Sequence, residues 1–366
     1  MLIGINAIFL APGKGGGMER YLVNMVRAMA QTAKGDELIA FACREGLPGL
    51  EGTVPVIKGP ISAQTRWARV LWEQVLLPGI IKDSHCDAVL SFGNICPVRL
   101  SLPSLLVMHD AIPFEPIHGF SALEKTAMQT LFRASARSAD RIVTVSEFSK
   151  KRISEHTGVS RDKVSIIPGA CDPVFFPQET SRKKSGDYIL ASASARPHKN
   201  LDRLLQAYKI LVQDKKVNAP LVLVHTQGSE EIALDKARRL GLGNKVIAFG
   251  KTIDGELAGL YGNAALFVYP SLYEGFGLPI LEAMTSGTPV IASRAGAIPE
   301  TAGNAALLFD PCNPEELAQA MERVLKDPIT QKEMIERGKN RAREFSWENS
   351  ATAMLALARE AAGKRR

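Results

Sequence analysis

The sequence predicts an α/β protein with two doubly wound domains, and three observations support this fold class. The chain has 366 residues, more than a single hydrophobic core usually organises. Short, continuous apolar runs alternate with amphipathic helical stretches, which is the pattern of parallel strands covered on both faces. The alternation starts near the N-terminus and starts again after a polar stretch at residues 178–186. Two such domains are expected to hold a ligand in a cleft between them, at the carboxyl ends of their strands.

The first series of runs predicts five strands and a helix, and the second predicts five strands and four helices. In the first series, strands are expected at residues 3–9, 38–42, 88–92, 105–108 and 141–145, with the helix at residues 19–30. In the second, strands are expected at residues 188–193, 221–225, 246–249, 266–269 and 290–292, with helices at residues 200–212, 255–262 and 314–326 and a further helix that includes residues 282–286. Asn200 is expected to serve as the N-cap of the first of these helices.

The domain boundary is predicted near residue 169. Turn-forming residues cluster at residues 167–173, and the polar stretch after them is typical of a linker and its neighbouring loop. Residues 1–168 would then form the N-terminal domain, and the C-terminal domain would begin at residue 169.

Composition restricts the partners and the compartment. The formal net charge of +7 favours anionic partners, which include nucleotide phosphates, nucleic acid and acidic membrane surfaces. The five cysteines form no C-x-x-C pair, so a reducing cytosol is expected rather than a disulfide framework or a zinc site. The N-terminus lacks the features of a signal peptide, and no apolar run reaches the roughly 20 residues that span a bilayer. We therefore expect a cytoplasmic protein, soluble or peripheral.

The most specific segment runs from residue 269 to residue 293. A strand is expected to end at Tyr269, a Gly-rich loop follows at residues 274–277, and a helix is expected to begin near Pro279. Free N–H groups at a helix start bind anionic or hydroxyl-rich ligands. The carboxylates of Glu274 and Glu282 can each accept two hydrogen bonds from a vicinal diol. A surface Glu and a helix Glu without any ligand would show the same spacing.

Three further segments place polar or flexible residues directly after strands. Arg196 and Lys199 stand three apart in a strand-to-helix turn, where both can reach one diphosphate or can simply be solvated. Gly16 and Gly17 let the backbone approach a phosphate or form a plain tight turn. Their loop is neither a Walker A motif nor a complete dinucleotide fingerprint, which argues against an NAD-dependent enzyme. His109 directly follows the strand at residues 105–108. It would either point into the cleft or have a structural role, with its hydrogen bonds made inside the protein.

Together these segments resemble the group 1 glycosyltransferases, a large family of retaining enzymes with the GT-B fold. The resemblance rests on the pattern Glu, seven residues, Glu, which is flanked by Pro-Ser, Gly-Phe-Gly and Glu-Ala-Met. It also rests on Arg-x-x-Lys-Asn at residues 196–200, on the Gly-Gly loop, and on a His-Asp element similar to that of mannosyltransferase-like members. The implied fold is two Rossmann-like domains facing across a cleft. Residues 169–345 would bind the donor, and residues 346–366 would form a helix crossing back to the first domain.

The resemblance implies roles for individual residues. Glu274 would contact the donor sugar, Glu282 the ribose hydroxyls, and His109 would lie beside the transferring sugar. The implied donor-binding residues are Gly16, Gly17, Arg196, Lys199, Glu274, Gly275, Phe276, Gly277, Leu278 and Glu282. The implied catalytic residues are His109, Arg196, Lys199 and Glu274, while Asp110 would orient His109 or the acceptor.

The resemblance also implies a same-face substitution in which the departing phosphate takes the proton of the acceptor hydroxyl. The protein would stabilise negative charge on the leaving diphosphate, with no metal and no cofactor besides the nucleotide-sugar donor. The His-Asp element and the segment Arg-Trp-x-x-x-x-Trp-Glu-Gln at residues 66–74 favour a GDP-mannose-type donor in cell-surface polysaccharide or O-antigen synthesis. A UDP-sugar transferase of the UDP-glucose type and a non-catalytic nucleotide-sugar binding protein are the alternatives.

The expected partners are a nucleotide-sugar donor and a glycan or lipid-linked acceptor, and not a nucleic acid. Arg133 and Arg137 are four residues apart, hence on one helical face, and residues 66–72 mix basic and apolar side chains. Both segments are candidates for contact with the anionic inner membrane or with acceptor phosphates. A solvated basic face would have the same composition.

Overall fold

The computed structural model describes residues 1–13, 16–116, 121–176, 188–214, 217–226, 228–250 and 252–364. These residues form two compact units. The first contains the described residues of Met1–Glu115, Phe120–Gly169 and Ser346–Arg366, and the second contains Pro116 and those of Ala170–Phe345. The polar stretch predicted as a linker at residues 178–186 lies outside the described residues.

The first unit is built on a parallel sheet of seven strands. The strands are β1 (Leu2–Asn6), β2 (Glu37–Ala42), β3 (Val56–Lys58), β4 (Ala88–Ser91), β5 (Ser104–Val107), β6 (Arg141–Thr144) and β7 (Val164–Ile166). Their order in space is β3-β2-β1-β4-β5-β6-β7. The connecting helices are α1 (Gly16–Thr32), α2 (Arg66–Val75), α3 (Leu77–Asp83), α4 (Ala122–Ser138) and α5 (Glu147–Thr157).

The second unit is built on a parallel sheet of six strands. The strands are β8 (Ile189–Ser192), β9 (Leu221–Val224), β10 (Val246–Ala248), β11 (Leu266–Tyr269), β12 (Val290–Ser293) and β13 (Leu307–Phe309), in the order β10-β9-β8-β11-β12-β13. The helices are α6 (Leu201–Gln213), α7 (Glu230–Arg239), α8 (Asp254–Gly262), α9 (Leu278–Thr285), α10 (Ile298–Ala302), α11 (Pro314–Lys326) and α12 (Pro328–Arg343).

Each sheet is doubly wound, so the predicted fold class is confirmed. The strand order reverses direction between β1 and β4 in the first sheet and between β8 and β11 in the second. Such switch points open a crevice at the carboxyl ends of the strands, which is where ligands of open α/β sheets bind. The central strands β4, β5, β8, β9, β11 and β12 are buried along their whole length, as their continuous apolar runs predict.

The last helix of the chain, α13 (Trp347–Lys364), belongs to the first unit and packs against α1. Trp347 meets the ring of Tyr21 edge-on with 5.5 Å between ring centroids, and Ser350 Oγ donates a hydrogen bond to Pro168 O at 2.8 Å. Met354 and Leu355 are buried on the same helix. No helix in the described part of the chain is long and apolar enough to cross a bilayer.

Two predicted elements differ from the structure for local reasons. The first strand ends at Asn6 rather than at Phe9, because the Asn6 side chain accepts a hydrogen bond from Ile8 N at 3.2 Å and turns the chain. The prediction that Asn200 caps α6 is wrong at the level of the side chain. Asn200 precedes α6 but adopts φ 57°, and its amide makes no cap hydrogen bond.

Candidate active site

Two oppositely charged side chains meet at the switch point of the second sheet. Lys199 lies in the loop after β8, in a short 3-10 helix at Pro197–Lys199, and Glu274 lies between β11 and α9. Lys199 Nζ is 2.7 Å from Glu274 Oε1 and 3.5 Å from the hydroxyl of Tyr269, the last residue of β11. The structure therefore brings together the residues predicted to bind the diphosphate and the sugar.

The charges of this pair follow from its surroundings. Burial alone would raise the pKa of Glu274, but the charge and hydrogen bond of Lys199, together with a hydrogen bond from Ser271 and the nearby His198, more than offset burial and hold this pKa below its usual value. Burial, and then the charge of Glu274, raises the pKa of Tyr269 well above its usual value. At neutral pH the site therefore presents a carboxylate at Glu274 and a neutral phenol at Tyr269, with Lys199 Nζ beside both.

Glycines shape the loop that carries Glu274. Gly277 precedes α9 with φ 105°, and α9 begins at Leu278 with Pro279 in its first turn, as predicted. Gly296 was not singled out from the sequence, yet a Cβ there would lie 2.8 Å from Glu274 N and 2.9 Å from Glu274 O, at φ +60°. Only glycine allows this close approach, which places the backbone that holds Glu274.

The other predicted residues of this segment have mixed environments. Gly275 and Phe276 are buried, and the Phe276 ring packs edge-on against Phe345 at 5.5 Å between ring centroids. Glu282 lies on α9 and is 3% exposed, with Oε2 accepting a hydrogen bond from the Tyr261 hydroxyl at 3.0 Å. Its carboxylate is held within the unit, and its contact with ribose stays a prediction.

Arg196 and Asn200 frame the loop after β8. Arg196 is exposed at the start of the short helix that carries Lys199, so its guanidinium is accessible to an anion. Asn200 Nδ2 donates hydrogen bonds to Pro270 O at 3.0 Å and to Pro311 O at 2.8 Å. The asparagine of the Arg-x-x-Lys-Asn pattern thus connects this loop to the loops after β11 and β13. A helix-capping side chain would instead bond to the first turn of its own helix.

His109 follows β5 in the first unit and is 8% exposed. Its Nε2 lies 3.3 Å from Phe92 O, and its ring meets Tyr21 edge-on with 5.0 Å between ring centroids. The backbone N–H of His109 donates to Asn94 Oδ1 at 2.6 Å. A carbonyl oxygen only accepts, so Nε2 carries the proton and Nδ1 is left as the acceptor nitrogen. Burial lowers the pKa of His109 to about 4, so the imidazole is neutral at neutral pH.

Asp110 and Arg133 have local partners. Asp110 Oδ1 accepts a hydrogen bond from Ile112 N at 2.9 Å, which forms the turn after His109. Arg133 places its guanidinium 4.8 Å from the centre of the Phe114 ring and donates from Nε to His156 O at 2.9 Å. Arg133 therefore braces the end of the His109–Phe114 segment, and only Arg137 of the predicted pair is exposed.

The glycine loop leads directly into α1. Gly16 and Gly17 are exposed at the first positions of the helix, and Gly16 has φ +53°. Glu19, in the first turn, accepts a hydrogen bond from Gly13 N at 2.9 Å. Exposed N–H groups at a helix start are an arrangement that binds phosphate, as the sequence predicts for this loop.

The two parallel sheets, with charged side chains gathered at a switch point, define the GT-B class of glycosyltransferase fold. Sucrose-phosphate synthase from Thermosynechococcus elongatus has this fold and superposes with a TM-score of 0.80 at 20% identity, over 98% of both chains. The family model of glycosyl transferases group 1 matches residues 175–341, and that of glycosyltransferase family 4 matches residues 15–175.

Several similar sequences are mannosyltransferases. The chain is 34% identical over 238 residues to O-antigen chain mannosyltransferase B of Escherichia coli, a match that spans 62% of each protein. It is 34% identical over 320 residues to the MMP alpha-(1->4)-mannosyltransferase of Mycolicibacterium hassiacum, spanning 81% of this chain and 74% of the relative. The chain belongs to the group 1 glycosyltransferases, as its sequence motifs predict.

Proposed function

We propose that the protein transfers a hexose, with retention of anomeric configuration, from a nucleoside diphosphate sugar to a glycan or lipid-linked acceptor. GDP-mannose is the favoured donor and cell-surface polysaccharide or O-antigen synthesis the favoured process, because several similar sequences are mannosyltransferases and one is an O-antigen chain mannosyltransferase. The observation that carries the proposal is the Lys199–Glu274 pair at the switch point between β8 and β11.

Donor binding would replace the contact between Lys199 and Glu274 by contacts of each side chain with the donor. The diphosphate takes the Lys199 ammonium and the exposed Arg196 guanidinium, which can bind two phosphate oxygens at once. Glu274 is then free to accept hydrogen bonds from hydroxyls of the sugar. The ion pair keeps both side chains ordered before the donor arrives, so little reorganisation is needed in the reaction.

Transfer would proceed on one face of the sugar. The acceptor oxygen bonds to the anomeric carbon as the bond from that carbon to the phosphate oxygen breaks, and the acceptor proton passes to the departing phosphate. Arg196 and Lys199 stabilise the charge of the leaving diphosphate without a metal ion. His109 is neutral and contacts the sugar by hydrogen bonding. An α-configured product from an α-configured donor, observed in the anomeric proton signal, is the expected result, and a β-configured product would refute retention.

Thermal unfolding with added GDP, UDP or ADP tests donor binding. A ligand that binds only the folded state raises the melting temperature with its affinity and concentration, and we expect the largest rise with GDP. A larger rise with UDP would replace the favoured donor by a UDP-sugar. Lys199→Ala should remove most of the rise. Lys326→Ala is the matched control, because Lys326 pairs with Glu322 on α11 at 2.8 Å, away from the strand ends.

Nucleotide release separates an enzyme from a binding protein of the same fold. An enzyme releases nucleoside diphosphate from its donor at a rate that depends on the acceptor, whereas a binding protein does not. The assay uses every nucleotide sugar that stabilises the fold, with mannosylated lipid-linked acceptors present. If none of these donors releases nucleoside diphosphate, the transferase proposal is refuted.

Membrane association is proposed for the outer face of α2. Trp67, Leu71 and Val75 follow one another at intervals of four residues and are 50%, 65% and 63% exposed. Arg66 lies beside them, with its guanidinium 5.9 Å from the centre of the Trp67 ring. An apolar stripe with a flanking cation and a net charge of +7 suits an anionic bilayer surface.

Flotation with vesicles tests this surface. We expect binding to phosphatidylglycerol-containing vesicles, weaker binding in high salt, and none to phosphatidylcholine alone. The double variant Trp67→Ser, Leu71→Ser should lose binding, whereas Ile329→Ser, at an exposed apolar residue of α12 in the second unit, is the control. Equal flotation of the double variant and the parent would refute the assignment.

A further inference from the structure

The buried side of α2 holds two loops at the carboxyl edge of the first sheet. The Arg69 guanidinium donates a hydrogen bond to Phe9 O, in the loop after β1, at 2.6 Å. The Gln74 amide donates to Cys96 O at 2.9 Å and accepts from Val98 N at 3.0 Å, in the loop after β4. The two loops leave the strands on either side of the switch point, so α2 secures both sides of it.

Between these side chains, Glu73 reaches the switch point itself. The residue is 2% exposed, and Oε1 accepts a hydrogen bond from Asn6 Nδ2 at 2.7 Å. Asn6 is the last residue of β1, and its Nδ2 also donates to the hydroxyl of Ser91, the last residue of β4, at 3.1 Å. Because Asn6 and Ser91 are paired in register, the Glu73 carboxyl is linked to the ends of both strands.

The same strand ends lead to His109. Phe92 follows Ser91, and its N–H donates to Asn6 O at 3.2 Å while its carbonyl accepts from His109 Nε2 at 3.3 Å. The side chain of Asn94, two residues further on, accepts a hydrogen bond from the backbone N–H of His109. A continuous series of contacts therefore runs from Glu73 through Asn6 and Phe92 to the imidazole.

A carboxyl at this place is unfavourable for the fold. Glu73 Oε2 has no hydrogen-bond partner in the part of the chain that the structure describes. An unpaired buried carboxyl oxygen destabilises a protein, and an apolar side chain of similar length would fill the same space without that cost. Local departures from the most stable choice concentrate at functional sites.

We propose that Glu73 is a positioning residue for sugar transfer, whose carboxyl holds His109 in place through Asn6 and Phe92. The inference rests on the proposed function, in which His109 contacts the transferring sugar. Glu73 belongs to the first unit, whereas Arg196 and Lys199 belong to the second. Its loss is therefore expected to lower kcat and to leave binding of the nucleoside diphosphate unchanged.

Two variants of equal side-chain length separate the hydrogen bond from packing. Glu73→Gln keeps an acceptor for Asn6, whereas Glu73→Met keeps the length without the acceptor. We expect Glu73→Met to lower kcat roughly 10- to 100-fold with little change in the KM of the donor, and Glu73→Gln to stay within about threefold of the parent kcat. Parent-level kcat in Glu73→Met, or equal losses in both variants, would overturn the proposal.

The ring nitrogen signals of His109 give a readout that needs no turnover. We expect Glu73→Met to shift these signals and Glu73→Gln to preserve them, with His109→Gln used for assignment. Unshifted signals in Glu73→Met would overturn the proposal. If the parent protein neither binds a nucleoside diphosphate nor turns over, the proposed function is refuted. The ring nitrogen signals would in that case still show whether Glu73 holds His109 in place. If Glu73→Met does not fold, Glu73→Asp replaces it, because its shorter side chain withdraws the acceptor from Asn6.

Discussion

The buried carboxyl of Glu73 makes the stability of the first unit depend on pH. Burial, only partly opposed by the Asn6 hydrogen bond and the Arg69 charge, raises the pKa of Glu73 from 4.5 to about 7. An unfolded chain ionises this carboxyl near pH 4.5, whereas the folded chain keeps it neutral up to about pH 7. Between these values, rising pH stabilises the unfolded state alone.

The sign and the magnitude follow from this difference. Because the folded pKa is the higher one, the parent has its full stability from this group below about pH 4.5 and loses it progressively as the pH rises to about 7. At about 1.36 kcal/mol per unit, a shift of about 2.5 units corresponds to about 3 kcal/mol. Glu73→Gln cannot ionise at this position. The free energy of unfolding of Glu73→Gln minus that of the parent should therefore rise by up to about 3 kcal/mol between about pH 4.5 and about pH 7.

Tryptophan fluorescence in urea at pH 5, 6, 7 and 8 measures the effect in the relevant unit. The three tryptophans of the chain, Trp67, Trp72 and Trp347, all belong to the first unit, so their emission follows the unfolding of the part that contains Glu73. Groups other than Glu73 titrate in both proteins and cancel in the difference. A difference that stays constant from pH 5 to pH 8 would refute a neutral buried carboxyl.

Three further predictions concern the chemistry and the second unit. Glu274→Gln should lower kcat by about 100-fold or more, because a neutral amide replaces a full carboxylate, while calorimetry should show nucleoside diphosphate binding almost unchanged; normal turnover would exclude Glu274 from the reaction. Gly296→Ala should destabilise the second unit by roughly 1–3 kcal/mol, since its Cβ would meet the Glu274 backbone at 2.8 Å. Far-ultraviolet circular dichroism in urea measures this, with Gly243→Ala as a control that meets nothing within 4 Å. Treatment with EDTA should leave acceptor-dependent nucleotide release intact, and a loss restored by Mg²⁺ or Mn²⁺ would show that the reaction needs a metal.

The strands were predictable because parallel sheets buried on both faces leave uninterrupted apolar runs in the sequence. The strand expected at residues 266–269 is found as Leu266–Tyr269, and the helix expected at residues 314–326 is found as Pro314–Lys326. Strands β3, β7 and β13 have only three residues each and were not predicted, whereas β10, which is equally short, was expected at residues 246–249. Their pairing depends on neighbouring strands.

The candidate site was predictable where motifs carry it and not where the fold assembles it. Glu274 and Lys199 stand out from their own segments, but they are 75 residues apart and meet only because β8 lies beside β11. Glu73 gives the opposite case. Within an amphipathic helix it has the pattern of a solvated surface residue, and only the position of α2 over the ends of β1 and β4 buries it.

The return of α13 to the first unit has a consequence for biosynthesis. As the ribosome releases the chain, Ala170–Phe345 is complete before the first unit has α13, because Ser346–Arg366 is translated after it. Until then Tyr21 lacks the ring of Trp347, and Pro168 lacks the hydroxyl of Ser350. The unit that is begun first thus receives its remaining residues last, and a nascent chain stalled before residue 346 would expose the α1 surface to chaperones.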